Sequence, residues 1–222
     1  MNYDILSSGS KGNAVVLDGI ILIDCGVSFK KLKNHCKKLQ LVLLTHIHSD
    51  HMNQKTLLKL HRERPTLRFA GNDSCVKLLV DAGVNKRNID VLRQDITYSY
   101  GRFTVSPVEL THDVRCFGYR IIKGVDKVFY ATDTGNLDGI EAKNYSLYMV
   151  ECNYEDEDIR KRIAEKESRG EYVYEYSALK NHLSRQQCDD FIYENIGPGG
   201  QYVYLHIHED KKKTIKLPRC SI

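Results

Sequence analysis

Apolar and polar positions alternate along the chain in short runs. Segments rich in Val, Ile, Leu and Tyr are cut by Gly, Asn and Asp. This pattern predicts strands at 2–7, 13–18, 20–24, 41–45, 67–70, 102–109, 117–123, 126–131, 146–151 and 201–206. It predicts helices at 27–37, 51–61, 73–82, 155–168 and 184–195, the last opening on Ser184 as N-cap. Strands gather in runs at each end of the chain, with helices between. That order suits an α/β protein of the αββα sandwich type better than a doubly wound parallel sheet. The stretch "YEDEDIRKRIAEKESRGEY" reads as a solvated helix whose opposite charges lie three or four residues apart.

Composition bounds the picture. The 222 residues suit one domain over 1–222 with a sizeable core. Hydrophobic residues at 41% and charged residues at 28% fit a globular chain. No apolar run approaches the roughly 20 residues of a membrane span, and "MNYDILSSGSKGN" lacks the basic and apolar parts of a signal peptide, so a cytoplasmic protein without a membrane partner is expected. The seven cysteines are scattered, odd in number and never spaced as CxxC, which favours reduced thiols. A net charge of +4 does not by itself argue for nucleic acid.

The chemistry concentrates where a hydrophobic strand stops. In "LVLLTHIHSDH", three of the chain's nine histidines fall within six residues. An extended chain after the strand points His46 and His48, two residues apart, the same way. Ser49 can cap the following helix, which places Asp50 and His51 in its first turn. Nitrogen and carboxylate donors of this kind suit Zn²⁺ first, then Mn²⁺ or Fe. Further donors end other strands: His112 in "VELTHDV", Asp133 in "VFYATDTGN", and His206, with His208 two residues on, in "QYVYLHIHED". Each is a weak signal alone. Together they put an imidazole or carboxylate at the ends of four separate strands.

This pattern resembles the metallo-β-lactamase superfamily, whose HxHxDH signature appears as His46, His48, Asp50 and His51. The resemblance implies the metallo-β-lactamase fold and two divalent metals, Zn first. One metal would be held by His46, His48 and His112, and the other by Asp50, His51 and His206, with Asp133 bridging. His206 is favoured over His208 because it follows its strand directly. "SSGSKGNA", "LIDCG", "ATDTG", "ECNYE" and "NHLS" resemble the YycJ (VicX)-like group, which is associated with exonuclease and phosphodiesterase activity and has similar forms in phage and prophage genomes. Departures are Cys25 where Ala is usual, Tyr154 where His is usual, and the doubled final histidine. In related phosphodiesterases the histidine of "HLS", here His182, contacts phosphate or protonates the leaving oxygen. A pKa near 6.5 suits that role.

The expected function is a dinuclear metal-dependent hydrolase that cleaves phosphodiester bonds, an exonuclease on DNA or RNA ends. A metal-bridging hydroxide would attack phosphorus, and His182 with Asp50 would assist the leaving oxygen. Thr45 and Thr132 are candidates to orient ligands. Lysines and arginines cluster at 30–38, 59–68 and 211–219, and Tyr172, Tyr174 and Tyr176 alternate beside His182. The basic clusters read first as solvated faces and otherwise as a track for a polynucleotide, and the tyrosines equally as base-stacking groups or as a half-buried strand. The rivals are a glyoxalase-type thioester or lactone hydrolase, which shares HxHxDH, and a nucleic-acid-binding module without catalysis. A small phosphodiester substrate and homodimerisation stay open.

Overall fold

The computed structural model describes residues 1–207. His208 and the basic positions Lys211, Lys212, Lys213, Lys216 and Arg219 lie outside the described residues. Two compact units are distinguished: Met1–Tyr98 with Val114–Phe117, and Ser99–Asp113 with Gly118 onward.

The first unit carries a six-stranded sheet in chain order: β1 (Tyr3–Ser7), β2 (Ala14–Leu17), β3 (Ile21–Ile23), β4 (Leu41–Leu44), β5 (Arg68–Gly71) and β6 (Ile89–Val91). β1, β2 and β3 pair antiparallel, and β3 through β6 pair parallel. Each parallel step is a crossover through a helix: α1 (Phe29–Cys36), α2 (Gln54–Glu63) and α3 (Asp73–Asp81). All four residues of β4, "LVLL", are buried, which is the signature of a central parallel strand covered on both faces. Leu32, Leu57, Leu60 and Leu79 of the helices join Leu22, Leu44 and Phe69 in one apolar cluster. Each fully buried Leu or Phe contributes about 1.5–3 kcal/mol.

The helix after the HxHxDH segment starts later than its sequence suggests. Asn53, not Ser49, is the N-cap, and its side chain accepts from Thr56 N–H. Asp50 and His51 therefore sit in a turn before α2, where the His51 and Met52 N–H groups both donate to the His48 carbonyl.

The second sheet has the order β12-β11-β10-β9-β8-β7. Its strands are β7 (Tyr98–Tyr100), β8 (Phe103–Leu110), β9 (Cys116–Lys123), β10 (Asp126–Ala131), β11 (Leu147–Glu151) and β12 (Gln201–Leu205). β9 and β10 pair antiparallel, whereas β10, β11 and β12 pair parallel. The second unit's helices are α4 (Asp156–Ser168), α5 (Glu175–Asn181) and α6 (Arg185–Asn195). Ser184 caps α6 in a full capping box with Gln187. Of the two readings of the alternating tyrosines, the half-buried strand fails: Tyr174 occupies the N-cap position of α5 without a side-chain cap, Tyr176 lies within the helix, and Tyr172, Tyr174 and Tyr176 are all exposed. Two mixed sheets, each with its own helices, are the elements an αββα sandwich requires. Among the described residues no helix is long and apolar enough to cross a membrane.

Candidate metal centre

In the first unit, three loops at the carboxyl ends of β3 and β4 and after β1 are tied together. Asn13 N–H donates to the Asp50 carbonyl at 2.7 Å, and Gly26 N–H donates to the Asn13 carbonyl at 2.8 Å. A Cβ at Gly26 would overlap the Asp50 carbonyl, so only glycine permits this approach. The "SSGSKGN" turn thus does more than link two strands. The buried Asn13 side chain accepts from Gly9 N–H at 2.9 Å and presents its amide 2.8 Å from His51 Nε2.

His46 and His51 are wholly buried. His46 Nε2 and His48 Nδ1 converge to 3.0 Å, as expected from their spacing. The outer nitrogens are held from behind. His51 Nδ1 lies 2.7 Å from Asp24 Oδ2, and Thr45 Oγ1 lies 3.0 Å from both Asp24 oxygens and 3.0 Å from His46 Nδ1. Asp24 also accepts from Thr45 N–H at 2.9 Å. The Thr45 hydroxyl has one proton, which Asp24 takes, so His46 Nδ1–H donates to Thr45. Both imidazoles then carry their proton on Nδ1 and keep Nε2 as a donor atom toward a cation. This outer arrangement is what orients metal-ligating histidines. Burial pushes the Asp24 carboxyl up, and His51 together with Thr45 pulls it back. Asp50 is half-buried, with Oδ2 3.6 Å from His51 Nε2.

The second unit gathers another donor set. Asp133, Glu151, His182 and His206 each offer a ligand atom, all within 4.8 Å of one another. Asp133 follows β10, Glu151 ends β11, His206 follows β12, and His182 follows α5. Glu151 is wholly buried and saturated: Oε1 accepts from Thr134 N–H and Leu183 N–H, both at 2.9 Å, and Oε2 faces His182 Nδ1 at 3.1 Å and His206 Nδ1 at 3.5 Å. Burial acts to raise the Glu151 pKa. Hydrogen bonds from His182 and His206, with the His182 charge, outweigh it and hold the carboxyl below the usual range. Asn153 Nδ2 lies 3.1 Å from His206 Nδ1. His112 sits in the same unit, its ring 5.7 Å from that of His182 and its Nδ1 3.3 Å from the Asn181 carbonyl. A Cβ at Gly135 would overlap the Lys180 carbonyl, so the turn after Asp133 requires glycine.

Both donor sets are built of imidazole and carboxylate with little else, the chemistry that fits Zn²⁺, Mn²⁺ or Fe. Two buried carboxylates, Asp24 and Glu151, are not singled out by the sequence reading. Their signal is a charged residue closing an apolar strand, in "ILID" and "YMVE". Three site residues hold left-handed backbone: Asp24 at φ 58°, Asp133 at φ 59° and His206 at φ 50°.

The chain belongs to the β-lactamase superfamily: the family model for the beta-lactamase superfamily domain matches residues 20–170. Within it, the chain is 25% identical to exodeoxyribonuclease WalJ of Streptococcus pneumoniae, over 96% of this chain and 83% of that protein. The fold matches the metallo-β-lactamase fold protein YhfI of Bacillus subtilis with a TM-score of 0.71 at 19% identity, covering 93% of this chain and 86% of that one. It matches the short form of human tRNase Z with a TM-score of 0.71 at 14% identity, covering 100% and 98%. The expected fold class and the resemblance to the YycJ-like branch are thereby met.

Proposed function

We propose that this chain is a divalent-metal-dependent phosphodiesterase that removes nucleotides from nucleic-acid ends. The observation that carries the reading is the HxHxDH segment itself. His46 Nε2 and His48 Nδ1 converge at 3.0 Å while Asp24 and Thr45 hold the far nitrogens of His46 and His51. A merely structural histidine needs no such backing. The similarity to an exodeoxyribonuclease over 96% of the chain supports the substrate class.

In this reading His46, His48, Asp50, His51, His112, Asp133 and His206 hold two metals, Zn²⁺ first and Mn²⁺ as the alternative. Bound metals supply a hydroxide at neutral pH and offset charge on the phosphoryl oxygens. The residues of the chain do the rest. Asp24 and Thr45 fix the tautomers of His46 and His51. Glu151 accepts from His182 Nδ1–H, which stabilises the imidazolium and leaves its Nε2 proton for the departing alkoxide oxygen.

The test is metal-quantified protein, loaded with Zn²⁺ or Mn²⁺, given 5′- and 3′-labelled oligonucleotides beside bis-p-nitrophenyl phosphate. Stepwise loss of end nucleotides, abolished in Asp50→Ala, is the expected result and gives the polarity. Cleavage of the small diester alone restricts the substrate to small phosphodiesters. Cleavage of a thioester or lactone, with neither phosphodiester touched, overturns the proposal.

A further inference from the structure

Charge is unevenly spread over the first unit. Residues 29–38 and 54–64, which hold α1 and α2, contain nine Lys or Arg and one acid, Glu63. They carry a formal +8, so the remainder of the chain is at −4 against a total of +4. Three of these nine cations are aligned. Lys30, Lys33 and Lys37 follow one another at i, i+3 and i+7 and form one stripe on α1. They line a groove of about 680 Å³ with Phe29, and Lys59 and Glu63 of α2 form the other wall. All four lysines are exposed.

The groove is built, and it has a direction. Lys59 Nζ lies 4.4 Å from the centre of the Phe29 ring, joining the two walls. At the far end the Arg64 guanidinium donates to the Cys36 carbonyl at 2.9 Å and to the Lys37 carbonyl, which fixes the end of α1 against the end of α2. β3, β4 and β5 are parallel, so α1 and α2 both start at the strand ends that carry Asp24 and His46 and run back along the sheet. At the near end, Thr56 Oγ1 donates to the Val27 carbonyl at 2.8 Å and Cys25 pairs with Met52. Lys30 therefore lies at the end nearest the HxHxDH loop. Lys33 and Lys37 lie successively farther away, over a helix about 12 Å long.

We propose that this groove is an exosite for a single-stranded polynucleotide, holding the phosphates of the part that trails from the scissile end. A row of ammonium groups on two rigid walls matches a chain with one charge per nucleotide, and about 12 Å spans roughly three of its phosphates at about 3.4 Å each. Nucleic acid is favoured over an anionic bilayer because the cations line a groove between two helices that both start on the HxHxDH side of the sheet, with no exposed apolar stripe on α1 or α2 to enter a membrane. The inference deepens the proposed function and rests on it for the direction of the strand, though binding can be read without turnover.

The experiment compares the protein with a Lys30→Gln/Lys33→Gln/Lys37→Gln variant, all three at exposed positions. Binding of a fluorescein-labelled single-stranded DNA is followed by anisotropy from 50 to 300 mM NaCl, both proteins in an Asp50→Ala background. Losing three phosphate contacts lowers the slope of log K against log salt by about 2. In the active background kcat/KM on the oligonucleotide falls at least about tenfold at 0.15 M salt, while hydrolysis of bis-p-nitrophenyl phosphate stays within twofold. An unchanged slope, or no binding by the parent, overturns the exosite whatever the catalytic result. A fallen slope together with no cleavage of any diester keeps the exosite and removes the phosphodiesterase. Groove-dependent binding to phosphatidylglycerol vesicles in preference to the oligonucleotide overturns it in favour of a membrane surface.

Discussion

Replacing Asp24 with Asn tests whether the buried carboxylate behind the HxHxDH segment sets its chemistry. The change keeps size and shape and removes one acceptor. Both carboxylate oxygens are in use: Oδ1 accepts from Thr45 N–H at 2.9 Å, and Oδ2 faces His51 Nδ1 at 2.7 Å. An amide can satisfy only one of them. A backbone N–H has no other form, and leaving it buried without a partner costs about 1–3 kcal/mol. An imidazole can move its proton. In Asp24→Asn the amide oxygen therefore turns to Thr45, the NH₂ faces His51, and His51 carries its proton on Nε2. That closes the nitrogen which Asn13 Nδ2 approaches at 2.8 Å and which the proposed site uses toward the metal. Loss of such an outer carboxylate costs about 10–100-fold in metal affinity, or about 1.4–2.7 kcal/mol. A competition titration of Zn²⁺ against a chromophoric chelator at pH 7.5 reads the affinity, and urea unfolding of the metal-free protein reads the fold. The expectation is a tenfold or greater loss of affinity with a small change in unfolding midpoint. Affinity within twofold of the parent would refute the tautomer argument. A loss of stability with affinity intact would show that the amide turned the other way.

Other consequences are checked more simply. His182→Ala lowers kcat about 10²–10⁴-fold and leaves metal content unchanged; loss of one metal equivalent by elemental analysis would make His182 a ligand beside Asp133, Glu151 and His206. Tyr148→Phe removes a buried hydroxyl that accepts from Tyr145 N–H at 3.0 Å and lies 2.6 Å and 2.8 Å from the Ala142 and Asn195 carbonyls. It should cost about 1–3 kcal/mol and lower Tm by about 2–4 °C for each kcal/mol, and an unshifted calorimetric Tm would count against that anchor. Burial pushes the Cys152 thiol up to about 12 and raises those of Cys25, Cys75 and Cys188 as well. Because thiolate is the reactive form, peptide mapping after iodoacetamide at pH 8 should find these four unmodified until urea is added. Rapid labelling of Cys152 in the native protein would contradict its burial.

The long apolar strands are legible because their composition is unambiguous. "LVLL" and "VFYA" cannot sit on a surface, and β4 and β10 lie where they are expected. β6 and β7 escape the pattern because "IDV" and "YSY" each give only one period of alternation and are only partly buried, unlike the equally short but wholly apolar and buried "ILI" of β3. α5 is hidden by Tyr172, Tyr174 and Tyr176, whose alternation imitates a strand. What decides that segment is Glu175, buried and paired with Lys166 of α4, a contact nine residues distant that no local pattern reveals. The start of α2 is ambiguous in sequence because Ser49, Asp50 and Asn53 all have capping side chains. The hydrogen bonds to the His48 carbonyl use residues 49–52 as a turn, which leaves Asn53 as the cap. The imidazoles announce themselves by number and spacing. The carboxylates behind them, Asp24 and Glu151, do not, because their role exists only once separate strands are side by side.

Left-handed backbone at Asp24, Asp133 and His206 sets a limit on how this protein can be made more robust. An ordinary L-residue in that region costs about 1–2 kcal/mol, which glycine would relieve. At Asp24 that relief is cancelled, because glycine would leave Thr45 N–H buried without its acceptor. A search for heat-resistant variants would be drawn instead to glycine at Asp133 and His206, where each gain would delete a carboxylate or imidazole that the proposed metal centre uses. Asp95 and Asn144 adopt the same conformation outside both donor sets, so heat resistance can be sought there without trading away the chemistry.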